Sequence, residues 1–320
     1  MIITKTPFRM SFFGGGTDME DYFKENGGAV LSTTFDKYCY VNVRHLPRFF
    51  DYSTELSYSK TERVTNVEEI QHPAIREAMK MLDMHEIRLT YEADLPARSG
   101  LGTSSSFAVG MLNAFYALKG KYADKKKLAD EAIYLERVLC NEAGGWQDQI
   151  AASYGGFNRI NFGPDGYEVL PIIISPERKK QLNNNLMMFF TGFTRFSSEV
   201  QKANAASSPI DTNVYLKQMY DLVDEAEMVL VDKTRDLDDF GRLLDKTWKL
   251  KRQTGGSVST NSIDGLYARG IEAGALGGKL LGAGGGGFLV FYVQTDQQEA
   301  VRTAMSDLMY IPFEFENGGT

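Results

Sequence analysis

The chain has 320 residues, a formal net charge of −7, 43% hydrophobic and 24% charged residues. This is the balance of a globular protein long enough for two domains, and its acidity argues against a nucleic-acid binder, which needs basic surface to neutralise phosphates. Cys39 and Cys140 are the only cysteines, too few for a disulfide framework and in no metal-ligand spacing, so a reducing compartment is expected. Residues 1–9 lack the apolar core of a signal peptide, and the longest apolar run, near Phe288 to Val293, is far short of a membrane span. The expectation is a cytoplasmic protein with no membrane partner.

In chain order, Ile2 to Phe8 has the β-branched content of a strand and leads through Arg9 into Gly14-Gly15-Gly16-Thr17-Asp18. Thr17 and Glu20 have capping-box spacing for a helix over Met19 to Glu25. The turn reads either as a plain helix start or as glycines, Arg9 and Asp18 gathered around a polar ligand such as a sugar. Strands are expected at Ala29 to Thr33, Tyr38 to Val43, Ile87 to Tyr91, Gly156 to Asn161 and Tyr167 to Ile174. The segment from Thr61 to Met84 reads as helical, with Ile75, Met79 and Leu82 on one face.

Pro96-Ala97-Arg98-Ser99-Gly100-Leu101-Gly102-Thr103-Ser104-Ser105-Ser106 combines a turn with four hydroxyl residues that open a helix running to about Leu118. The first turn of a helix has N–H groups without intrahelical partners and the positive end of the macrodipole, so it suits an anion. A glycine turn with serine caps is the plainer reading of the same residues. A further helix carries Leu128, Ala132, Leu135 and Leu139, with Glu136 beside them, and ends in Gly144-Gly145-Trp146-Gln147-Asp148-Gln149. There a Gly-Gly turn presents the carboxylate of Asp148 on constrained backbone.

A proline- and asparagine-rich passage from Pro171 to Asn185 reads as a link between domains spanning residues 1–175 and 176–320. After it come a strand at Leu186 to Phe190, a polar stretch from Thr194 to Asp211 that reads as a mobile loop, and amphipathic helices marked by Leu216 to Leu230 and Leu237 to Trp248. Gly282, Gly284 and Gly287 match a GxGxxG spacing, but the run feeds a strand at Phe288, where a dinucleotide fold would open a helix. Gly284 and Gly285 remain candidates for a phosphate site. A helix over Asp296 to Met309 and a strand over Tyr310 to Phe315 finish the chain.

No Walker A, DFG or HRD sequence is present, and His45, His72 and His85 fall in no nucleophile or metal spacing. Two glycine-rich loops, a hydroxyl-rich helix start and isolated carboxylates suit phosphoryl transfer. The three segments Pro7 to Asp18, Pro96 to Ser106 and Lys279 to Gly287 resemble, in order, the three motifs of the GHMP kinase superfamily, and Gly144 to Gln149 resembles its catalytic-aspartate region. The resemblance implies an α+β, two-domain fold: an amino-terminal half like domain 2 of ribosomal protein S5 and a ferredoxin-like carboxy-terminal half. It implies ATP held by Pro96, Gly100, Leu101, Gly102, Thr103, Ser104, Ser105, Ser106, Gly284 and Gly285, and Mg²⁺ held by Ser104 and Glu136. Asp148 would be the catalytic carboxylate with Arg9 beside it, and Gly15, Gly16 and Asp18 would meet the sugar. Phe12 to Asp18, Gly27 to Thr34 and Asp36 to Tyr38 most closely resemble the D-glycero-D-manno-heptose 7-phosphate kinases, with the fucokinases as the near alternative. Such an acceptor would need cations, for which Lys37, Arg44, Arg98 and Arg195 are candidates. A non-catalytic sugar sensor on the same fold is the competing class.

Overall fold

In a computed structural model the described residues are 1–97, 99–192, 209–255, 258–282 and 284–320. Two of the cation candidates, Arg98 and Arg195, and most of the Thr194 to Asp211 stretch lie outside them. The fold is built on β2 (Gly28–His45), which runs antiparallel to β1 (Ile2–Phe13) from Ile2 opposite Val43 to Phe13 opposite Leu31. The two strands expected between Ala29 and Val43 are therefore one. Polar residues 34–37 do not break it, because Phe315–Glu316 (β12) pairs with Phe35 and Thr34 just where β2 changes partners. Its start pairs with β6 (Asn158–Gly163) and its end with β5 (Ile87–Ala93). With β3 (Thr54–Ser57), β4 (Thr61–Val64) and β7 (Gly166–Pro171), these strands form one sheet in the order β4-β3-β5-β2-β6-β7, with β1 and β12 joined to β2.

Helix α1 (Glu20–Asn26) follows the first glycine turn, and α2 (Pro73–Met81) precedes β5. The α-helix expected over 61–84 is confined to Pro73–Met81, with a short 3-10 turn at Val67–Glu69 before it. Thr61–Val64 is paired in a hairpin, and Pro73, which suits the first helical position, sets the true start. Across the sheet lies α3 (Thr103–Leu118), buried along most of its length. Gly110 lets it approach β1: an added Cβ would lie 2.5 Å from Thr6 Oγ1, and the Thr4 hydroxyl donates to the Gly110 carbonyl at 2.9 Å. Helix α4 (Lys125–Tyr134) passes into a π-helical turn over Leu135–Leu139, and α5 (Gln147–Tyr154) packs back on α4 and α3.

After α6 (Pro176–Asn184) the chain enters a second sheet of β8 (Leu186–Phe190), β9 (Gly277–Leu280), β10 (Phe288–Tyr292) and β11 (Met309–Ile311). All its pairs are antiparallel, and the order is β11-β8-β10-β9, the 4-1-3-2 arrangement of a ferredoxin-like half. Helices α7 (Pro209–Val231), α8 (Asp238–Gln253) and α9 (Asn261–Glu272) lie between its first two strands, and α10 (Gln298–Ala304) precedes the last. That last helix is shorter than the expected 296–309. The final strand splits because Pro312 has no N–H to continue the ladder, so the chain crosses to the first sheet as β12.

One hydrophobic core unites the halves: Phe8, Phe12 and Phe13 of β1 share a cluster with Val223 of α7, Phe240 and Leu244 of α8, and Tyr292 of β10. The two glycine loops interlock as well. A Cβ on Gly100, whose φ is +82°, would sit 2.2 Å from the Leu281 carbonyl oxygen, and one on Gly287 2.2 Å from that of Ser99. Among the described residues no helix is long and apolar enough to cross a membrane.

Because the obstacle at Gly100 is main chain and its φ is left-handed, Gly100→Ala is expected to cost about 2–4 kcal/mol. Urea denaturation measures this; an unchanged midpoint would show that the loops do not meet as described.

Candidate active site

Strand β1 carries Arg9 inward, 4% exposed, with its N–H donating to the Leu101 carbonyl at 3.2 Å. Its guanidinium donates from Nε to Asp148 Oδ1 at 2.7 Å, from Nη2 to Asp148 Oδ2 at 2.8 Å, and from Nη1 to the Gly100 carbonyl at 2.6 Å. The pair is two-pronged, which fixes the carboxylate plane as well as its position. Gly102, with φ +72°, lies directly over it: a Cβ there would be 3.3 Å from both Arg9 Cγ and Asp148 Cγ. Arg9 is enclosed while the Asp148 side chain keeps 25% exposure, so the carboxylate is the open face of the pair.

Gly102 is also the residue before α3, and no side chain caps that helix. Its first turn begins beside Asp148, and a helix start is where an anion is attracted. The four hydroxyls diverge. Thr103 is buried, Ser104 is exposed, Ser105 donates to Glu136 Oε2 at 2.7 Å, and Ser106 donates to the Pro7 carbonyl at 2.9 Å. The structure thus sets Ser105 against Glu136, where the sequence reading chose Ser104. Positions 104 and 105 are about 100° apart on a helix, and the second is turned to the π-helical turn that carries Glu136. Leu101 is fully buried in the core and meets Arg9 through its carbonyl, and Pro96 is exposed in the turn before. Gly285 N–H donates to the Val258 carbonyl at 3.1 Å, and a Cβ on Gly284 would lie 2.5 Å from that same oxygen. These two glycines have a packing reason of their own.

Glu136 sits in the π-helical turn, 2% exposed, and burial raises its pKa although Arg137, Ser105 and Gln149 favour the charged form. Gln149 Nε2 donates to Glu136 Oε2, while Gln149 Oε1 is buried with no partner among the described residues. A buried carboxylate, a hydroxyl and an orphaned amide oxygen form an all-oxygen donor set, which fits a hard cation such as Mg²⁺.

Asp18 is 3% exposed and ties two turns together. Oδ1 accepts from Gly16 N–H at 2.9 Å, Oδ2 from Gln147 N–H at 3.3 Å, and its carbonyl from Trp146 N–H at 3.1 Å. Gly145 has to be glycine, since a Cβ would fall 1.8 Å from Asp18 Oδ2. The expected capping box is not formed: the Thr17 hydroxyl donates to the carbonyls of Gly14, at 2.8 Å, and Ala29, at 3.0 Å, fastening the turn to β2. Around Gly15 two polar atoms, Ser11 Oγ and Gln147 Oε1, are buried with no partner among the described residues.

Two lysines that the sequence reading passed over come to this turn from the second half. Lys251 of α8 donates to the Gly15 carbonyl at 3.2 Å, and Lys279 of β9 to the Phe12 carbonyl at 2.9 Å. Burial lowers both pKa values against the pull of Asp18, and Lys279, with Lys251 and Arg9 also near, falls to about 7. Lys251 lies one helical turn beyond buried Trp248, the only signal that its face points inward. Of the cations named from sequence, Lys37 is held by Asp36, and Arg44 lies opposite Arg88 at the end of β2 far from Arg9.

The family model for the N-terminal domain of GHMP kinases matches residues 68–156, and the model for the C-terminal domain matches residues 228–311. The two matches, in order, take in more than half of the chain. The chain is 28% identical to a D-glycero-alpha-D-manno-heptose 7-phosphate kinase of Campylobacter jejuni, covering 99% of this chain and 97% of that one. It is 26% identical to an L-fucokinase/L-fucose-1-P guanylyltransferase of Bacteroides fragilis over 93% of this chain but only 35% of that protein. Among solved structures, a D-glycero-D-manno-heptose 1-phosphate kinase of Bacteroides thetaiotaomicron superposes with a TM-score of 0.78 at 23% identity, covering 100% of this chain and 97% of that one. The fold, the interlocked glycine loops and the carboxylate beside an open helix start are those of a phosphoryl-transfer enzyme, and the chain belongs to the GHMP kinases. It is an ATP-dependent kinase of that family.

Lys279 is expected to be charged in the unfolded chain up to roughly pH 10 but neutral in the folded one above about 7. Between those values the unfolded state holds more protons, so the parent protein gains stability from this group as pH rises. Lys279→Met removes the buried charge. Its Tm relative to the parent should be highest near pH 6 and the advantage should shrink above pH 7; a difference independent of pH would overturn the assignment.

Proposed function

We propose that this ATP-dependent sugar kinase transfers the γ-phosphoryl group of ATP to the anomeric hydroxyl of D-glycero-D-manno-heptose 7-phosphate, giving the 1,7-bisphosphate. The observation that carries the reading is the Asp148 carboxylate, held at 2.7 and 2.8 Å by Arg9 between the open start of α3 and the glycine turn of residues 14–16. A phosphate donor on one side and a hydroxyl acceptor on the other would meet there. The extent of the similarity to the heptose 7-phosphate kinase, nearly the whole of both chains, supports the choice of acceptor.

In this reading the loop from Pro96 through Gly100 to Ser106 holds the ATP phosphates on the first-turn N–H groups of α3, with Gly284 and Gly285 closing the loop from the second half. Gly15, Gly16 and Asp18 shape the sugar site, where Ser11 and Gln147 offer hydrogen bonds to ring hydroxyls. The anomeric oxygen attacks the γ-phosphorus, the bond to the β,γ-bridging oxygen breaks, and ADP leaves while the hydroxyl proton passes to Asp148. Arg9 keeps that carboxylate aimed at the hydroxyl and adds positive charge beside the transferred group. Positioning and charge neutralisation are what such a reaction asks of a protein. Glu136 with Ser105 or Ser104 would hold Mg²⁺, which when bound would neutralise phosphate charge.

The similarity to the fucokinase over 93% of this chain favours a second reading, a kinase of a free sugar. A coupled ADP-release assay with heptose 7-phosphate, mannose, fucose and galactose separates the two; preference for a free sugar would overturn the heptose phosphate assignment. Asp148→Asn keeps the size of the side chain and loses the base, so turnover should fall about 100- to 10,000-fold while ATP still binds in a calorimetric titration. Turnover near that of the parent would remove Asp148 from this role.

A further inference from the structure

Lys279, 5% exposed, and Lys251, half-buried, bring two amino groups to the glycine turn, and among the described residues neither forms an ion pair with a carboxylate. Each has three N–H donors, of which one is used, on Gly15 O and Phe12 O. The nearby Asp18 does not meet them, since its oxygens are taken by the N–H groups of Gly16 and Gln147. Withdrawing an ammonium from water without an anion is costly, and each of these two amino groups works against the charging of the other. The cost is recovered when an anion enters.

The ATP phosphates are the wrong anion for this place. They belong at the start of α3, where Gly102 covers the Arg9–Asp148 pair, whereas the lysines lie along Phe12 to Gly16, beyond the glycine turn. An anion there belongs to the acceptor. Gly16 keeps the approach open: a Cβ at this position would come within 3.2 Å of Lys251 Nζ and 3.0 Å of Leu216 Cδ2. Ser11 Oγ and the Gln147 side-chain amide lie beside Gly15, and Ser11 Oγ and Gln147 Oε1 have no partner among the described residues, so both are available to ring hydroxyls.

We propose that Lys251, supported by Lys279, forms a subsite for a phosphate monoester carried by the acceptor sugar, so that the glycine turn reads the ring and α8 reads the distal phosphate. The inference rests on the sugar kinase reading and gives its acceptor site a second charge-reading end. A dianionic monoester offers three acceptor oxygens to the spare ammonium donors, and the preference for Lys over a carboxylate-paired Arg leaves those donors free for it.

The test is a calorimetric titration of the full chain and of Lys251→Gln and Lys251→Arg with heptose 7-phosphate, heptose, mannose 6-phosphate and mannose. The parent should bind each phosphorylated sugar at least about tenfold more tightly than its free counterpart. Lys251→Gln should cut that ratio about 10- to 100-fold, and Lys251→Arg should restore most of it. A parent that does not favour phosphorylated sugars, or a Gln variant that weakens both members of a pair equally, overturns the subsite. If heptose 7-phosphate is turned over but its affinity ignores the Gln substitution, the subsite fails and the heptose reading stands. If only mannose 6-phosphate shows the Lys251-dependent preference, the subsite stands and the heptose reading fails.

Discussion

The Arg9 guanidinium is the joint on which the site turns. Its three bonds bring together a strand, the loop before α3 and the first turn of α5, three segments separated by 91 and 139 positions in the chain. A planar fork with five donors can hold a carboxylate in two places and a carbonyl in a third at once, which a lysine cannot do. Among the described residues the Asp148 carboxylate is the one charge partner of the guanidinium, held partly exposed in a defined orientation. A second carboxylate does comparable work from the other side. Asp18 binds the N–H groups of Gly16 and Gln147, so the acceptor turn and the start of α5 move as one piece.

Glycine supplies the contact between the halves. The loop before α3 and the loop before β10 meet main chain to main chain, with Gly100 on Leu281 and Gly287 on Ser99, at distances where a single methyl would intrude on a carbonyl. This close fit means the phosphate loop is shaped by both halves. It also explains why the third glycine run has a dinucleotide-like spacing without a dinucleotide-like context: its glycines answer to packing on Ser99, Gly100 and Val258, and the backbone goes on into a strand.

The cleft carries groups that a protein selected for stability alone would not keep. Lys279 is buried and Lys251 half-buried with no carboxylate partner among the described residues, Ser11 and Gln147 have buried oxygens without partners among those residues, and Glu136 is a buried carboxylate whose burial works against its charge. Such groups are costly to bury, and the proposed ligands would each offset one of those costs: phosphate for the amino groups, hydroxyls for the orphaned oxygens, a hard cation for the carboxylate. In the proposed reading their positions sort the site into a nucleotide side at α3 and an acceptor side at residues 12–18, with Asp148 between.

Local chemistry in the sequence determined a good deal. Apolar periodicity marks α3 and α8, β-branched residues mark β1 and β5, a run of large apolar residues marks β8, and the glycine and hydroxyl motifs mark the turns at Gly14 to Asp18 and Gly100 to Ser106, because each is a property of neighbours in the chain. Asp148 was legible for the same reason, standing just after the Gly144-Gly145 turn. Tertiary structure decided the rest. Ser105 meets Glu136 in place of Ser104 because the register of α3 on the sheet is a long-range matter. Residues 34–37 stay in a strand because a tail from the far end of the chain pairs with them. Lys251 and Lys279 look in sequence like any lysine beside an apolar face, since a charge shows its burial only when distant segments close over it.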